Sequence, residues 1–192
     1  MNSSRRRFLL SSATLVGVAG VGLLSRFAGA AEGETIVVTP GTVTVQRFTD
    51  LGKSIGKEQV AKVVKSEAEW KKLLPALAFG VTRQEGTEAA FTGPYWDNHS
   101  PGLYRCICCD NALFVSDTKY DSGTGWPSFW QPIAKENVLE TDDSSFGMTR
   151  TKVSCTLCEA HLGHVFNDGP EPTGLRYCMN GVALRFLARP AA

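Results

Sequence analysis

Residues Cys155 to Asn180 read CTLCEAHLGHVFNDGPEPTGLRYCMN, and they hold one C-x-x-C, two of the three histidines and a cysteine standing alone in a strand-like run. Two kinds of sulfur work follow. Thiolates at C-x-x-C spacing suit a metal, while a separate cysteine near imidazoles suits nucleophilic chemistry. In Arg176-Tyr177-Cys178-Met179-Asn180 the side-chain period of two sends Arg176, Cys178 and Asn180 to one face, Tyr177 and Met179 to the other. A guanidinium beside a thiol favours the thiolate. The Asn180 amide can donate to an oxygen held near the sulfur, and His161 and His164 offer proton donors to a leaving oxygen. Singly each has a plainer explanation, because a lone cysteine is ordinarily inert core and an arginine on a strand is often solvated. The combination is what points to a site.

The other cysteines lie upstream, as Cys106-Ile107-Cys108-Cys109. Cys106 and Cys109 form a second C-x-x-C, separated from Cys155 by 45 residues. Two such knuckles supply four thiolates, the donor set of a closed tetrahedral zinc site, and the long spacer means the metal would pin together two distant hairpins. Disulfides are the alternative, since six cysteines is an even number and an exported chain can oxidise them. Against that, the adjacent Cys108 and Cys109 cannot both be bridged freely. Four ligands taken from six leave Cys108 and Cys178.

Outward from this centre, the composition is that of a globular protein with one domain as the expectation: 192 residues, 43% hydrophobic and 20% charged. The first thirty residues contain Arg5, Arg6, Arg7 and Arg26 and no acid, so the remainder carries sixteen basic against nineteen acidic residues. A mildly acidic body has no footprint for a polyanion, and nucleic acid is excluded as a partner class. Arg5-Arg6-Arg7-Phe8, an apolar run from Leu9 to Leu24 and Ala28-Gly29-Ala30 look like a twin-arginine export signal with a small-residue cleavage site near Ala30. The run is short for a membrane span, so residues 1–30 are expected to be removed, with no stable membrane insertion afterwards and a periplasmic or otherwise extracytoplasmic location. Residues 31–65 read as an extension holding one or two strands and a short helix over Lys57–Lys65. Ser66 with Glu67 and Glu69 reads as a helix start, followed by Trp70, Leu73, Leu74 and Leu77 on one face. The polar, aromatic loop before Gly102 offers Tyr95, Trp96 and His99 to a ligand or merely covers the core. Short strands are expected at Leu103–Cys106, Ala112–Ser116, Met148–Ser154, Leu162–Phe166 and Arg176–Phe186.

The segments GPYWDNH (Gly93–His99), DSGTGWPSF (Asp121–Phe129), AHLGHVFNDGP (Ala160–Pro170) and PTGLRYCMN (Pro172–Asn180) closely resemble the B-type peptide methionine sulfoxide reductases, specific for the R epimer. The resemblance runs from about Ser66 to Phe186, which makes residues 66–192 the catalytic domain. It implies a mainly β fold, with two antiparallel sheets clamped by a structural zinc and short helices at the amino-terminal side. The zinc would sit on Cys106, Cys109, Cys155 and Cys158. Cys178 would be the nucleophile and pass through a sulfenic acid, with Trp126 walling the pocket for the S-methyl group. His161, His164 and Asn180 would surround the sulfoxide oxygen, Asp168 and Arg176 would support the nucleophile, and Tyr95, His99 and Phe166 would join Trp126 in contacting substrate. The implied partners are oxidised proteins or peptides and a thioredoxin-like or other dithiol donor, and the protein is expected to be a monomer. One departure stands out. Many relatives carry a resolving cysteine where this chain has Thr124, so Cys108 resolves the sulfenic acid if it can reach, and otherwise an external thiol does. Two other readings compete: a zinc-stabilised binding module with an incidental Cys178, and a zinc enzyme whose catalytic ligands are His161, His164 and Cys178.

Overall fold

Each C-x-x-C closes a hairpin, and the two hairpins belong to different sheets. The computed structural model describes residues 41–144 and 150–190, all within one compact unit. The twin-arginine segment, the start of the extension and the beginning of the strand expected at Met148 lie outside the described residues. The strands are β1 (Thr42–Phe48), β2 (Ser54–Ala61), β3 (Gly102–Cys106), β4 (Ala112–Val115), β5 (Lys119–Tyr120), β6 (Ser128–Phe129), β7 (Val138–Asp143), β8 (Arg150–Cys155), β9 (His161–Phe166), β10 (Arg176–Met179) and β11 (Leu184–Ala188). A six-stranded sheet runs β5-β6-β10-β9-β8-β7 and a three-stranded sheet runs β11-β3-β4, both antiparallel, while β1 and β2 form a separate hairpin. The protein is therefore mainly β, as expected, with the extension supplying a further sheet.

Inward-facing aromatics hold the two larger sheets together. Phe114 of β4 stacks on Phe129 of β6 with ring centres 4.4 Å apart, and Tyr104 of β3 meets Phe129 edge-on at 5.0 Å. All three rings are fully buried, a geometry that adds directional attraction to area burial. The chain passes between the sheets directly: after β10 a single 3-10 turn, Gly181–Ala183, delivers it to β11. The run expected as one strand from Arg176 to Phe186 is thus cut in two, because its halves pair with different neighbours.

Two helices cover one side. Ser66 caps α1 (Glu67–Leu73) with a reciprocal capping box: its Oγ accepts the Glu69 N–H at 3.3 Å, and the Glu69 carboxylate accepts the Ser66 N–H at 2.8 Å. Pro75 forces Leu74 into extended backbone, ends α1 and opens α2 (Ala76–Gln84). That break divides the expected apolar face: Trp70 and Leu74 are buried with Phe79, whereas Leu73 and Leu77 face solvent. The helix expected over Lys57–Lys65 is instead strand β2, where Val60 pairs with Val43 of β1; cross-strand pairing outweighs a helical pattern barely two turns long. The extension is built into the body. Val45 is fully buried, and the Asn137 side chain accepts the Gln46 N–H and donates to the Gln46 carbonyl, both at 2.8 Å. No helix among the described residues is long and apolar enough to cross a membrane.

Candidate active site

The two knuckles are near copies. In the first, the Asp110 N–H bonds the Cys106 carbonyl at 2.9 Å; in the second, the Glu159 N–H bonds the Cys155 carbonyl at 2.8 Å. Asp110 and Glu159 both take the left-handed conformation that turns the chain back into the next strand. The four sulfurs of Cys106, Cys109, Cys155 and Cys158 all lie within 4.8 Å of one another, with Cys106–Cys158 and Cys109–Cys155 each at 3.6 Å. Those distances are far too long for disulfides. They fit a tetrahedral thiolate cage, in which metal–sulfur bonds of about 2.3 Å place sulfurs about 3.8 Å apart. Asn111 donates to the Cys155 sulfur at 3.6 Å, the kind of outer contact that orients a ligand. The donor set and its burial fit a structural metal ion joining the two sheets.

Cys178 lies on β10 of the six-stranded sheet, directly opposite Ser128 of β6 and His164 of β9. It is half-buried at a cleft of about 170 Å³ lined by Thr87, Trp126, His164, Phe166, Asn180 and Arg150 among others. That is room for one side chain, well below the roughly 300–1,000 Å³ of pockets for larger ligands. Close approach of β9 to β10 needs a glycine at Gly163, where a Cβ would meet the Cys178 carbonyl at 2.1 Å.

On a regular strand, histidines three apart point to opposite faces. Here the register slips at Val153/Ser154, so that Lys152 pairs with His164 but Ser154 with His161, and both rings come to one side with centres 5.4 Å apart. They differ in environment. His164 lines the cleft and donates its Nε2–H to Asp143 at 2.8 Å. His161 is buried behind it, lining a separate depression with Glu85 and Lys152. Burial first, and the neighbouring His164 second, lower its pKa to about 4, so it stays a neutral ring at neutral pH.

Arg176 is held in place twice over. Its guanidinium makes two hydrogen bonds to Asp168, at 2.9 and 2.8 Å, and lies over the Phe166 ring at 4.4 Å. The guanidinium favours the thiolate, as expected, but burial works against it. Burial raises the Cys178 pKa above the ordinary thiol value, and Arg176, its charge shared with Asp168, offsets this only in part. The Trp126 indole N–H donates to the Glu88 carbonyl at 3.1 Å, so this side chain presents a wall rather than a donor. Asn180 is buried; its Oδ1 accepts the Glu88 N–H at 3.0 Å and its Nδ2 donates to the Leu162 carbonyl at 3.1 Å. A second Nδ2 proton is left for the cleft.

Three residues expected at the site are elsewhere. Tyr95 packs in the core against Tyr104 and Phe186. His99 is exposed, pairs with Asp97 and borders a small depression with Lys119 and Tyr120. Both follow from the loop's path, which spends its aromatic on the β3–β11 surface. Cys108 packs against the cluster of Trp70, Leu74 and Phe79 beside the metal knuckle and does not line the Cys178 cleft. Conversely, nothing in the amino-acid pattern marks Glu88. Its buried carboxylate accepts the Gly181 and Val182 N–H groups at 2.6 and 2.9 Å, tying the loop that carries Thr87 to the turn that follows Asn180. Asp143 was hidden within an acidic run.

Residues 74–188 match the SelR domain family model. The chain is 55% identical over 129 residues to a peptide methionine sulfoxide reductase MsrB of Herminiimonas arsenicoxydans, covering 67% of this chain and 94% of that protein. It is 54% identical to the protein of the same name from Hahella chejuensis, covering 65% of this chain and 90% of that protein. For the one from Agrobacterium fabrum the identity is 53%, covering 65% of this chain and 93% of that protein.

Proposed function

Since the chain belongs to the SelR-domain family of MsrB-type peptide methionine sulfoxide reductases, we propose that Cys178 is its reacting sulfur and that it reduces the R epimer of methionine sulfoxide in exported proteins. The observation that carries this reading is the half-buried Cys178 at a side-chain-sized cleft between Trp126 and His164. The sulfoxide methyl group packs on the Trp126 and Phe166 rings, and its oxygen faces His164 and the free Asn180 proton. Cys178 attacks the sulfoxide sulfur, the thiol proton passes to the sulfoxide oxygen, and that oxygen ends on Cys178 as a sulfenic acid while methionine leaves. His164, oriented by Asp143, holds the proton in transit; Arg176, fixed by Asp168, stabilises negative charge on sulfur. His161 supports the His164 ring from behind as a neutral group.

With Thr124 beside Cys178 and Cys108 outside the cleft, an external dithiol of thioredoxin type attacks the sulfenic acid and restores the thiol. Cys106, Cys109, Cys155 and Cys158 would hold a zinc ion, which would clamp the two sheets as a structural centre away from the cleft. The twin-arginine sequence supports work outside the cytoplasmic membrane. Fractionating cells that express the chain with Arg5 and Arg6, or Arg6 and Arg7, changed to lysine tests the address; unchanged export counts against it.

The reaction is tested by incubating the protein with each epimer of a methionine sulfoxide peptide and a dithiol. Turnover of the R epimer that vanishes in Cys178→Ser is expected. Equal turnover of both epimers, or activity surviving in the variant, overturns the reading.

A further inference from the structure

Behind Cys178 three hydroxyls form a chain. Thr124 Oγ1 lies 3.9 Å from the Cys178 sulfur, Ser122 Oγ lies 2.8 Å from Thr124 Oγ1, Ser128 Oγ lies 2.7 Å from Ser122 Oγ, and Ser128 donates to the Trp126 carbonyl at 3.2 Å. The direction of this chain follows from counting protons. A hydroxyl has one proton, and a carbonyl only accepts. Ser128 is fully buried, so its proton goes to the Trp126 carbonyl. Ser122 must then donate to Ser128, and Thr124 to Ser122. Every hydroxyl proton is used, and the contact between Thr124 and Cys178 can be made only by the S–H. Run the other way, Thr124 donates to a thiolate, Ser122 to Thr124 and Ser128 to Ser122, leaving the Trp126 carbonyl without its donor.

We propose that Thr124, Ser122 and Ser128 form a two-state hydrogen-bond relay that holds resting Cys178 as a thiol and, by rotation of three hydroxyls, donates to its sulfur once the thiol proton has left for substrate. No proton enters or leaves the relay. Thr124 touches the reacting sulfur and is a catalytic residue in this sense; Ser122 is a positioning residue that acts through it, and Ser128, which also reaches the sulfur from the paired strand, fixes the far end of the relay. The relay supplies stabilisation at the moment charge develops without making the idle sulfur a thiolate open to oxidants. The other polar groups facing Cys178 are Arg176 with its partner Asp168, His164 with Asp143 and Arg150 beyond it, Asn180 with its second Nδ2 proton, and Tyr120 of β5, which pairs with Ser128. None of them changes in the variants below.

The proposal rests on Cys178 as the reacting sulfur, but its test does not use sulfoxide turnover. The rate of iodoacetamide alkylation at Cys178, followed by peptide mass across pH, gives the thiol's ionisation midpoint. Thr124→Val removes the relay's donor to the thiolate while Ser128 and Arg176 keep their own contacts with the sulfur, and the midpoint should rise by about one pH unit, a tenfold slower alkylation near neutrality. Thr124→Ser should restore it. Ser122→Ala removes the acceptor that occupies the Thr124 proton, so Thr124 can serve the thiolate without a relay flip and the midpoint should fall. A merely structural role moves the two variants alike. A midpoint in Ser122→Ala that rises or stays, or one in Thr124→Val that does not rise, overturns the relay.

Discussion

His164 of β9 donates its Nε2 proton to the carboxylate of Asp143 at the end of the edge strand β7 at 2.8 Å, reaching across β8. The carboxylate selects the tautomer and aims the ring. Asp143→Asn keeps the shape but can offer a donor to the same nitrogen, so kcat should fall by about ten- to a hundredfold with KM little changed. Steady-state kinetics with a methionine sulfoxide peptide check this; an unchanged kcat removes Asp143 from the mechanism.

Thr124 occupies the position from which a sulfur could reach Cys178. Thr124→Cys should form a disulfide with Cys178 after one turnover, visible by mass spectrometry without reductant. Cys108→Ser should leave steady-state turnover unchanged, because Cys108 is committed to the helix side of the knuckle. A large loss in Cys108→Ser would return that residue to the resolving step.

His161 gives a pH dependence to stability. Its pKa in the folded protein, about 4, lies below the ordinary 6.5, so between those values the unfolded chain binds the extra proton and stability falls as pH falls. The full effect is up to about 3 kcal/mol. Urea unfolding at pH 7 and pH 5 should show a smaller acid loss in His161→Gln than in the parent protein; equal losses would contradict the assignment.

The four-sulfur cage should bind one zinc per chain, measurable by elemental analysis. Cys109→Ser should abolish binding and lower Tm by roughly 10 °C or more, because the ion's binding free energy is also folding free energy. A metal-free protein of unaltered Tm would show the cage to be dispensable.

Glu88→Ala strips the acceptor from two backbone N–H groups and opens a void at a buried position. A loss of roughly 2–4 kcal/mol is expected in denaturant unfolding. A loss below 1 kcal/mol would mean that water replaces the carboxylate, against its near-complete burial.

Much of this was legible in the sequence where spacing carries geometry. Paired C-x-x-C knuckles announce a four-sulfur cage, and the alternation in Arg176–Asn180 places Arg176 and Cys178 on one face. The capping box at Ser66 is local chemistry and reads directly. What could not be read depends on register. A bulge at Val153/Ser154 puts His161 behind His164, and nothing in the run AHLGHVF distinguishes their environments. Glu88 and Asp143 matter through partners 93 and 21 residues away, distances at which only the folded chain defines neighbours. The adjacency of Arg176 to the thiol is visible in sequence, whereas burial of the sulfur, and the sharing of that guanidinium with Asp168, emerge only in the fold.

Cys178 sits mid-sheet, clamped by neighbours on both sides, and six residues later the chain has already entered the other sheet through a turn pinned by Glu88. A sulfur mounted that firmly cannot travel to its target. On the proposed function, oxidised methionines on tails, loops and unfolded stretches should therefore be served first, and those inside a client's interior should wait until the client itself opens. The speed of repair for such residues is then a property of the damaged protein's own unfolding, and should track its denaturant sensitivity rather than the concentration of the reductase.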